Sequence, residues 1–371
     1  MEVFIKFIYI HIFFFAPIVL ATTIVWSYFL IPKIYSFSLS HKFTDLPSIR
    51  KRHNGKVPLL GGVCIYISFI ISVLIFTSLS FKNFNLLFIK TTLLGLTFLL
   101  IIGLLDDILI VKPLKKLTAQ LLVILFFLWV YKFDVINFYG VFNVSELPEL
   151  LNLGVSIFII LSFINSFNFI DGIDGLCSGI SLIASVFFGY IAILEKDFTM
   201  VLFNFSLIGA LIPFIYFNMY SKKKIFLGDN GSLLLGFIFS IQVILILSNK
   251  NITIPFLSNS TPVILMALFS YPLVDSLRVI LIRLKRRKSP MTSDHNHIHH
   301  HLLNLGLTHK LITVLILTYT ILITAVAILL RHININISFV ILFVIAVIII
   351  NIPVFLVRSK RSKRSKKRIF S

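Results

Sequence analysis

The sequence contains few acidic residues and almost no cysteine. Of its 371 residues only 14 are Asp or Glu and two are Cys, whereas 58% are hydrophobic. Cys64 and Cys177 lie in or beside apolar segments, which excludes a disulfide framework and a redox motif. No inverted repeat of the kind found in many transporters is visible. The first apolar run lacks a basic N-terminal region and a small-residue cleavage site, so we expect a membrane span and not a signal peptide.

Apolar runs long enough to cross a bilayer, which takes about 20 residues, are abundant. We predict an all-α polytopic membrane protein of about eleven transmembrane helices. Residues 1–357 would form a single integral membrane domain, and 358–371 a disordered basic tail. The predicted spans lie near residues 8–31, 58–79, 91–105, 117–131, 154–169, 176–194, 199–217, 232–248, 262–282, 312–330 and 337–357.

The distribution of Lys and Arg among the loops predicts how these spans are oriented across the membrane. Cytoplasmic loops are rich in Lys and Arg, which predicts an outside N-terminus and a cytoplasmic C-terminus. The same rule, together with attraction to anionic lipid, explains the net charge of +20, so no nucleic-acid partner is expected. Of the 34 Lys and Arg residues, 26 lie in the tail and in alternate loops, namely 32–57, 106–116, 218–231 and 283–311.

Five polar motifs interrupt the apolar chain, all on the predicted cytoplasmic side. Ionisable groups at the ends of membrane helices are functional candidates because their placement there is unfavourable. The first motif is the loop from Asp45 to Gly62. Its Arg50, Lys51 and His53 suit a phosphate-bearing ligand, although a loop that only sets topology has the same composition.

The second motif is the pair Asp106 and Asp107, followed by Lys116. Neighbouring residues on a helix point about 100° apart, so one carboxylate can face a cleft and the other a neighbouring helix. Two adjacent acids repel unless a cation lies between them, and hydrated Mg²⁺ is a suitable cation. A solvated helix end is the alternative interpretation.

The third motif spaces Asn168, Asp171 and Asp174 three residues apart. Side chains at this spacing share a helix face and are predicted to line one wall of a cleft. The fourth motif, Gly228 to Ser232, opens the eighth span. A helix N-terminus attracts phosphate, and Asp229 is a candidate metal ligand beside it, although the spacing is not that of a Walker A loop.

The fifth motif is the histidine-rich run from Asp294 to His301. Such a run often binds zinc, but adjacent histidines in a loop make a loose ligand set for a tetrahedral metal. Simple surface exposure is a further alternative. We favour hydrogen bonds from imidazole groups to phosphate oxygens.

Together and in this order, the elements DD, NxxNxxDGxDGL, GDxGS and DxxHxHH resemble the polyprenyl-phosphate N-acetylhexosamine-1-phosphate transferases, from about Asp45 to Gly306. The resemblance implies transfer of a sugar-1-phosphate from a UDP-N-acetylhexosamine to undecaprenyl phosphate, with release of UMP. It also implies Mg²⁺, with Mn²⁺ as an alternative, and the cytoplasmic membrane of a bacterium. A homodimer is one option for the assembly.

Within that family, the patterns DxPxxRKxH and DxxHxHHxL are similar to the GlcNAc-1-phosphate branch. The phospho-MurNAc-pentapeptide transferases differ, because their histidines precede an aromatic-rich segment that is missing here. One departure is His295, where the GlcNAc branch often has Arg. Histidine is only partly charged near neutral pH, so the sugar is less firmly defined than the reaction.

The resemblance also implies roles for individual residues. Asp106, Asp107, Asp229 and His297 are expected to be catalytic, with Asp106 as a proton acceptor. Metal ligands would be Asp229, Asp171 and Asp107. Substrate contacts are implied for a larger set, namely Arg50, Lys51, His53, Lys116, Asn168, Asp171, Asp174, Asp294, His299 and His300.

Two other classes of function compete with an enzyme. A cation transporter with a His-rich loop should carry ionisable residues near mid-bilayer, often on broken helices. Here the acids lie at the predicted ends of spans. A non-catalytic membrane scaffold leaves those acids unexplained.

Overall fold

A computed structural model describes residues 12–45, 57–79, 84–109, 111–249, 254–257, 260–290 and 296–369. Within these residues the chain forms 13 α-helices and two antiparallel hairpins of short strands. The strands are β1 Thr44–Asp45, β2 Val57–Pro58, β3 Asn137–Val141 and β4 Val144–Glu146. The helices are α1 Ile12–Ser40, α2 Gly61–Leu79, α3 Leu86–Leu109, α4 Pro113–Val130, α5 Glu149–Ile170, α6 Leu176–Leu194, α7 Phe198–Met219, α8 Asp229–Ser248, α9 Thr261–Leu268, α10 Ser270–Lys285, α11 Ile298–Asn304, α12 His309–Leu329 and α13 Ile335–Ile369.

Ten of the described helices are long and apolar enough to cross a membrane, and an eleventh span results if α9 and α10 count as one. The predicted all-α polytopic fold is therefore confirmed, and the chain is a multi-pass membrane protein. The predicted ninth span is not straight, because α9 and α10 meet at 73°. Pro272 has no N–H to donate to the carbonyl of Leu268, four residues earlier, and this removes a helical hydrogen bond at the bend.

Helix α8 is the centre of the bundle. The most apolar window of this helix is 89% buried, whereas the corresponding windows of α4 and α13 are only 22% buried. Helices α2, α3 and α5 pack around α8. Large apolar side chains such as Trp129 and Phe355 point outward from α4 and α13, as expected for surfaces that face lipid.

The last helix, α13, continues beyond the predicted end of the membrane domain. Its membrane-crossing window ends at Val357, which is where the sequence predicts the end of the membrane domain. Its helical backbone nevertheless continues to Ile369, through a segment for which the sequence predicts disorder. Loss of apolar character ends a membrane span, but it does not by itself end a helix, because backbone hydrogen bonding needs no apolar side chains.

The two ends of the bundle can be located by their contacts. At one end, the N–H of Asn85, just before α3, donates to Thr199 Oγ1 in the first turn of α7 at 2.9 Å. Asp107 lies near the other end of α3, about 33 Å away at 1.5 Å per residue. There α3 meets the last turn of α5 and the first turns of α4 and α8, and the polar motifs gather.

Candidate active site

Lys116 joins three of the predicted site residues. The Lys116 ammonium donates to Asp106 Oδ2 at 2.8 Å and to Asn168 Oδ1 at 3.3 Å, and it forms an ion pair with Asp229. Helices α3, α4, α5 and α8 each contribute one of these four side chains. The chain therefore brings together, at one end of the bundle, residues from motifs that are far apart in sequence.

Asn168 holds the carboxylate of Asp229 from the opposite side. The Asn168 side-chain amide donates to Asp229 Oδ1 at 2.8 Å and to Ser232 Oγ at 3.0 Å. Asp229 thus has a partner on each oxygen, the lysine on one and the amide on the other. Each carboxylate oxygen has two lone pairs, so acceptor capacity remains on both atoms.

Asp107 faces away from Lys116 and caps helix α8. Its Oδ1 accepts the N–H of Asp229 at 3.0 Å, and its Oδ2 accepts the N–H of Asn230 at 3.2 Å and the Asn230 amide at 2.6 Å. The adjacent acids therefore diverge toward different partners, as their helical spacing predicts. In this geometry three donors hold the Asp107 carboxylate against the first turn of α8, and the predicted role of Asp107 as a metal ligand stays a prediction.

This cap corrects the predicted phosphate site at the start of α8. The N–H groups of Gly231 and Ser232 both donate to the carbonyl of Gly228 at 3.0 Å, and the two before them donate to Asp107. The first turn of the helix has no free N–H group to offer a phosphate. A carboxylate from α3 takes the place that the sequence alone assigned to ligand.

Glycines make the close approach of these elements feasible. A Cβ on Gly62 would lie 2.2 Å from the nitrogen of Gly231, a contact that no real side chain makes. Gly228 has a φ of 74°, in the left-handed region that favours glycine. The start of α2 is tied to the strand-like segment before α8, because Gly62 N–H donates to Leu227 O at 2.9 Å.

The third motif is not a continuous helix face. Helix α5 ends at Ile170, and Asp171 and Asp174 lie in the turn before α6. The Asp174 carboxylate accepts from Lys224 Nζ at 2.6 Å and lies 3.1 Å from His309 Nδ1. Burial opposes ionisation of Asp174, but hydrogen bonds and charge from His309 and Lys224 outweigh it and lower its pKa. Asp174 is therefore bound by an ion-pair network and not by the Lys116 cluster.

Among the acids of the site, Asp171 has the fewest protein groups to offset the negative charge of its carboxylate. No donor among the described residues hydrogen-bonds to its carboxylate. Burial, followed by repulsion from Asp229 and Asp107, raises the pKa of Asp171 well above its usual range. A cation near this carboxylate would relieve both unfavourable effects.

The donor set can be tested against the predicted metals. Within the described part of the chain, no three His, Cys, Asp or Glu side chains are arranged to hold a metal ion by themselves. A structural zinc site needs four protein ligands. Mg²⁺ commonly uses one or two carboxylates and takes its remaining ligands from water and substrate phosphate. Asp229 and Asp171 fit a magnesium ion of that kind, and the described histidines do not fit a closed zinc site.

The histidine run is partly buried and partly tied to the protein. His297 is 4% exposed, with Nδ1 at 2.9 Å from Asp275 Oδ2 and Nε2 at 3.4 Å from an Arg283 nitrogen. Nδ1 therefore faces a carboxylate, and Nε2 faces a guanidinium, which can only donate. Both ring nitrogens have protein partners, and the predicted catalytic role of His297 stays a prediction.

His299 and His300 lie closer to the acid-bearing turn. His299 is 1% exposed, and a Cβ on Gly172 would lie 2.8 Å from its Nε2. Burial, followed by the charges of His300 and His297, lowers the pKa of His299 well below its usual range. His300 is only partly buried, with its ring centroid 4.3 Å from that of His299. The alternative of simple surface exposure is wrong for the buried rings.

Sequence reasoning missed several partners. Asp275 and Arg278 lie three residues apart in α10, and ionisable residues within a span are functional candidates, so this signal was available. Lys224 and His309 carry no such signal, because their pairing with Asp174 depends on the fold. The predicted contacts at Arg50, Lys51, His53 and Asp294 lie outside the described residues.

The fold and the cluster define a class. Carboxylates, a lysine and an amide converge at one end of a bundle of membrane helices. This arrangement suits transfer of a charged group to or from a membrane lipid, and the class is that of the integral membrane transferases.

Comparisons with known proteins define the family. Residues 89–247 match glycosyl transferase family 4. The undecaprenyl-phosphate alpha-N-acetylglucosaminyl 1-phosphate transferases of Escherichia coli K12 and Yersinia pestis are 29% and 30% identical over 278 residues, which span 73% of this chain and 72% of each relative. A probable undecaprenyl-phosphate N-acetylglucosaminyl 1-phosphate transferase of Bacillus subtilis 168 is 29% identical over 281 residues, 73% of both chains. The chain belongs to the family of these undecaprenyl-phosphate N-acetylglucosaminyl 1-phosphate transferases, and the resemblance predicted from its motifs is confirmed.

Proposed function

We propose that this protein transfers N-acetylhexosamine-1-phosphate from a UDP-sugar to undecaprenyl phosphate and releases UMP. GlcNAc-1-phosphate is the first choice of transferred group. The observation that carries the proposal is the convergence of Asp106, Lys116, Asn168 and Asp229 at one end of the bundle in a chain of this family. The names of the relatives give the same donor sugar and the same lipid.

The residues of the cluster match the needs of phosphoryl transfer. Such reactions depend mainly on positioning and on offsetting charge. A phosphate monoester has a second pKa of about 6, so the lipid phosphate is already largely a dianion at neutral pH, and a strong general base is not essential. Asp106 is the candidate acceptor for any remaining proton, as the family resemblance implies, and its ion pair with Lys116 keeps its carboxylate ionised.

Lys116 supplies a movable positive charge. Its ammonium is shared between Asp106 and Asp229, so a phosphate oxygen can replace one carboxylate without leaving the lysine unpaired. Asn168 and Asp107 fix Asp229 from two directions, through its side chain and its backbone. This preorganised arrangement reduces the reorganisation needed when charge shifts toward UMP.

Mg²⁺ is the proposed metal, with Mn²⁺ as an alternative, and Asp229 and Asp171 are the residues that would hold it. When bound, the ion supplies positive charge to phosphate oxygens as a Lewis acid. The uncompensated carboxylate of Asp171 supports this assignment. Asp174 and Asp107 contribute by holding the turn and helix α8, respectively.

The proposed location is the cytoplasmic membrane of a bacterium, with the acid cluster at the cytoplasmic face. The distribution of Lys and Arg supports this orientation, because it puts the N-terminus outside and the C-terminus inside. A homodimer stays a prediction.

A cation transporter is the second candidate, because α9 and α10 form a broken span of the type that transporters use. The charges beside the break are, however, paired inside the protein. Asp275 accepts from Arg278 at 2.8 Å and lies 2.9 Å from His297 Nδ1. A carboxylate with two partners of this kind serves the fold better than ion passage.

The direct test is UMP release by purified protein supplied with undecaprenyl phosphate, Mg²⁺ and separate UDP-sugars. We expect turnover with UDP-GlcNAc, weaker turnover with UDP-GalNAc or a deoxy-amino sugar, and none with UDP-MurNAc-pentapeptide. Exhaustive chelation should stop the reaction, and added Mg²⁺ or Mn²⁺ should restore it. Comparable use of the pentapeptide donor would place the enzyme in the other branch. No UMP from any donor would refute the proposed function.

The same preparation tests the zinc alternative. Elemental analysis of the purified protein should find no stoichiometric zinc, and changing His299 or His300 to Ala should impair turnover without altering metal content. One zinc per chain that is lost in these variants would overturn the phosphate role of the histidine run.

A further inference from the structure

A buried carboxylate in α10 connects the broken span to the histidine run. Asp275 is 0% exposed, and its Oδ1 accepts from Arg278 at 2.8 Å and from the N–H of Ile298 at 3.2 Å. Its Oδ2 lies 2.9 Å from His297 Nδ1. Asp275 therefore holds both the imidazole of His297 and the first N–H group of helix α11.

This arrangement fixes where α11 begins. An acid near a helix N-terminus satisfies N–H groups that have no partner within the helix. Helix α11 is only seven residues long and packs against α12 and α13, so its own hydrogen bonds give it little independent stability. Its position depends on the contacts at its ends, and Asp275 makes the contact at the start.

From His297 the contacts lead back to the acid cluster. The His297 ring centroid lies 5.5 Å from that of Phe169, and the Arg283 guanidinium lies 5.3 Å above the same Phe169 ring. Phe169 directly follows Asn168, whose amide holds Asp229. A displacement of His297 would therefore shift Phe169, the residue next to Asn168 of the cluster.

A second route runs through α11 itself. His299 packs against Gly172 so closely that a single added carbon there would lie 2.8 Å from its Nε2. Gly172 is next to Asp171, the proposed metal ligand without a protein donor. The start of α11 therefore sets how the histidines meet the turn that carries Asp171.

We propose that Asp275 is a positioning residue for the transfer reaction, acting through His297 and the start of α11 on His299, His300 and the turn at Asp171. This inference rests on the proposed function. It assigns His297 a supporting role in place of a contact with substrate, and it leaves donor binding to the histidines that follow.

The kinetic test compares Asp275→Asn with Ser276→Ala. Ser276 is the next residue and is 3% exposed, and its hydroxyl has no hydrogen-bond partner among the residues that the structure describes. We expect Asp275→Asn to raise KM for the UDP-sugar at least 5-fold and Ser276→Ala to leave it within 2-fold. A purely structural role would reduce the amount of active enzyme and hence the maximal rate, but not KM of the molecules that fold. An unchanged KM in Asp275→Asn would overturn the proposal.

Two substitutions at His297 keep the test informative if Asp275 variants do not fold. Asn places an amide N–H near the position of Nδ1, and Gln places it near that of Nε2. If the contact with Asp275 is what matters, His297→Asn should keep KM closer to wild type than His297→Gln, and the effects of Asp275→Asn and His297→Gln should be less than additive in the double variant, because the contact of Asp275 with the N–H of Ile298 remains in His297→Gln. The opposite order, or additive effects in the double variant, would contradict action through His297.

A third measurement does not require turnover. His297 and His299 are buried, whereas His41 and His332 are exposed and serve as internal standards. Modification by diethyl pyrocarbonate, mapped by mass spectrometry, should spare both buried histidines in wild type and rise at both in Asp275→Asn. Unchanged protection would overturn the inference. If wild type releases no UMP but protection changes as expected, the proposed function fails while the placement of α11 by Asp275 stands.

Discussion

Two aspartates cap helices at opposite ends of the bundle, and they do so in different ways. Asp197 precedes α7 and accepts the N–H of Met200, three residues later, at 3.0 Å. Asp107 accepts the N–H groups of Asp229 and Asn230, the first of which is 122 residues away in sequence. One cap is local and the other joins two separate helices.

The two caps differ in how many helices they hold in place, and the cap that joins two helices lies at the candidate active site. A local cap stabilises one helix and leaves its neighbours free to adjust. The cap from Asp107 fixes α3 against α8, and Lys116 and Asn168 then hold the same Asp229 from α4 and α5. Changes at this end should affect turnover, whereas matched changes at the other end should affect stability alone.

The largest effect is expected at Asp229 itself. Asp229→Asn keeps the size of the side chain but removes the charge that pairs with Lys116 and would hold the metal. We expect UMP release to fall by at least about 100-fold, the scale on which loss of one charge-stabilising group acts in catalysis. Size-exclusion behaviour and thermal unfolding should stay close to wild type.

Asp197→Asn is the matched control for this variant, since it neutralises a capping acid at the other end. Its rate of UMP release should equal that of wild type. Substantial activity in Asp229→Asn would remove Asp229 from the mechanism, and loss of folded protein would identify it as a structural residue instead.

The next effect concerns two glycines, one at each end. Gly62→Ala would place a carbon 2.2 Å from the nitrogen of Gly231, so backbone must move. We expect a loss of about 3 kcal/mol or more in the free energy of unfolding, at the upper end of the usual range for overpacking. Gly154→Ala in α5 meets nothing within 4 Å and should stabilise by about 0.5–1 kcal/mol.

Thermal unfolding in one detergent measures both glycine variants. A Gly62→Ala protein as stable as wild type would mean that α2 and α8 do not touch as described. Equal destabilisation by Gly154→Ala would remove the contrast between the two ends.

Much of the fold was predictable, because apolar runs of sufficient length have few alternatives in a bilayer. The limits of the helices were not. The third span was predicted as 91–105, but α3 extends from Leu86 to Leu109. Hydropathy marks the part of a helix that lies in lipid, and the polar turns beyond it, including Asp106 and Asp107, carry no apolar signal.

The candidate site was predictable in composition but not in connectivity. Asp229 and Asn168 stood out because polar residues at the ends of apolar runs are unusual in such a chain. Their pairing with Lys116, the capping by Asp107 and the ion pair of Asp174 with Lys224 all join residues distant in sequence. Single-sequence patterns describe neighbours within about four residues, so these partners could not be read from them.

A smaller effect is expected from exchanging the cap carboxylates for amides. Asp107→Asn leaves one oxygen to accept and turns an NH₂ group toward the donors of α8. It should cost about 1–3 kcal/mol of unfolding free energy, the range for a buried group left without its partner, and should lower UMP release as well. Asp197→Asn keeps an oxygen that can accept the N–H of Met200, and Asn caps helices about as well as Asp, so this change should cost well under about 1 kcal/mol, with no change in turnover per folded molecule.

The ratio of activity to folded protein distinguishes these outcomes. If both variants lose activity only in proportion to the fraction unfolded, the two caps are equivalent and the long-range cap has no special connection to the reaction. A lower rate per folded molecule in Asp107→Asn alone supports the contrast.

The smallest effect is a pH dependence that belongs to the catalytic end. Burial and the neighbouring His300 and His297 lower the pKa of His299 well below its usual range, so the folded protein keeps this ring neutral. The unfolded chain takes up the proton as pH falls below about 6.5, the ordinary value for histidine. The unfolded state then binds more protons, and stability declines with falling pH by at most about 1.4 kcal/mol per unit for this one group.

We expect the unfolding temperature to drop between pH 7.5 and 5.5, and the drop to be smaller in His299→Gln. His332→Gln, at an exposed position, should keep the wild-type slope. An identical slope in His299→Gln and wild type would mean that His299 is not held neutral by burial, and the contact between α11 and the turn at Gly172 would have to be looser than the structure describes.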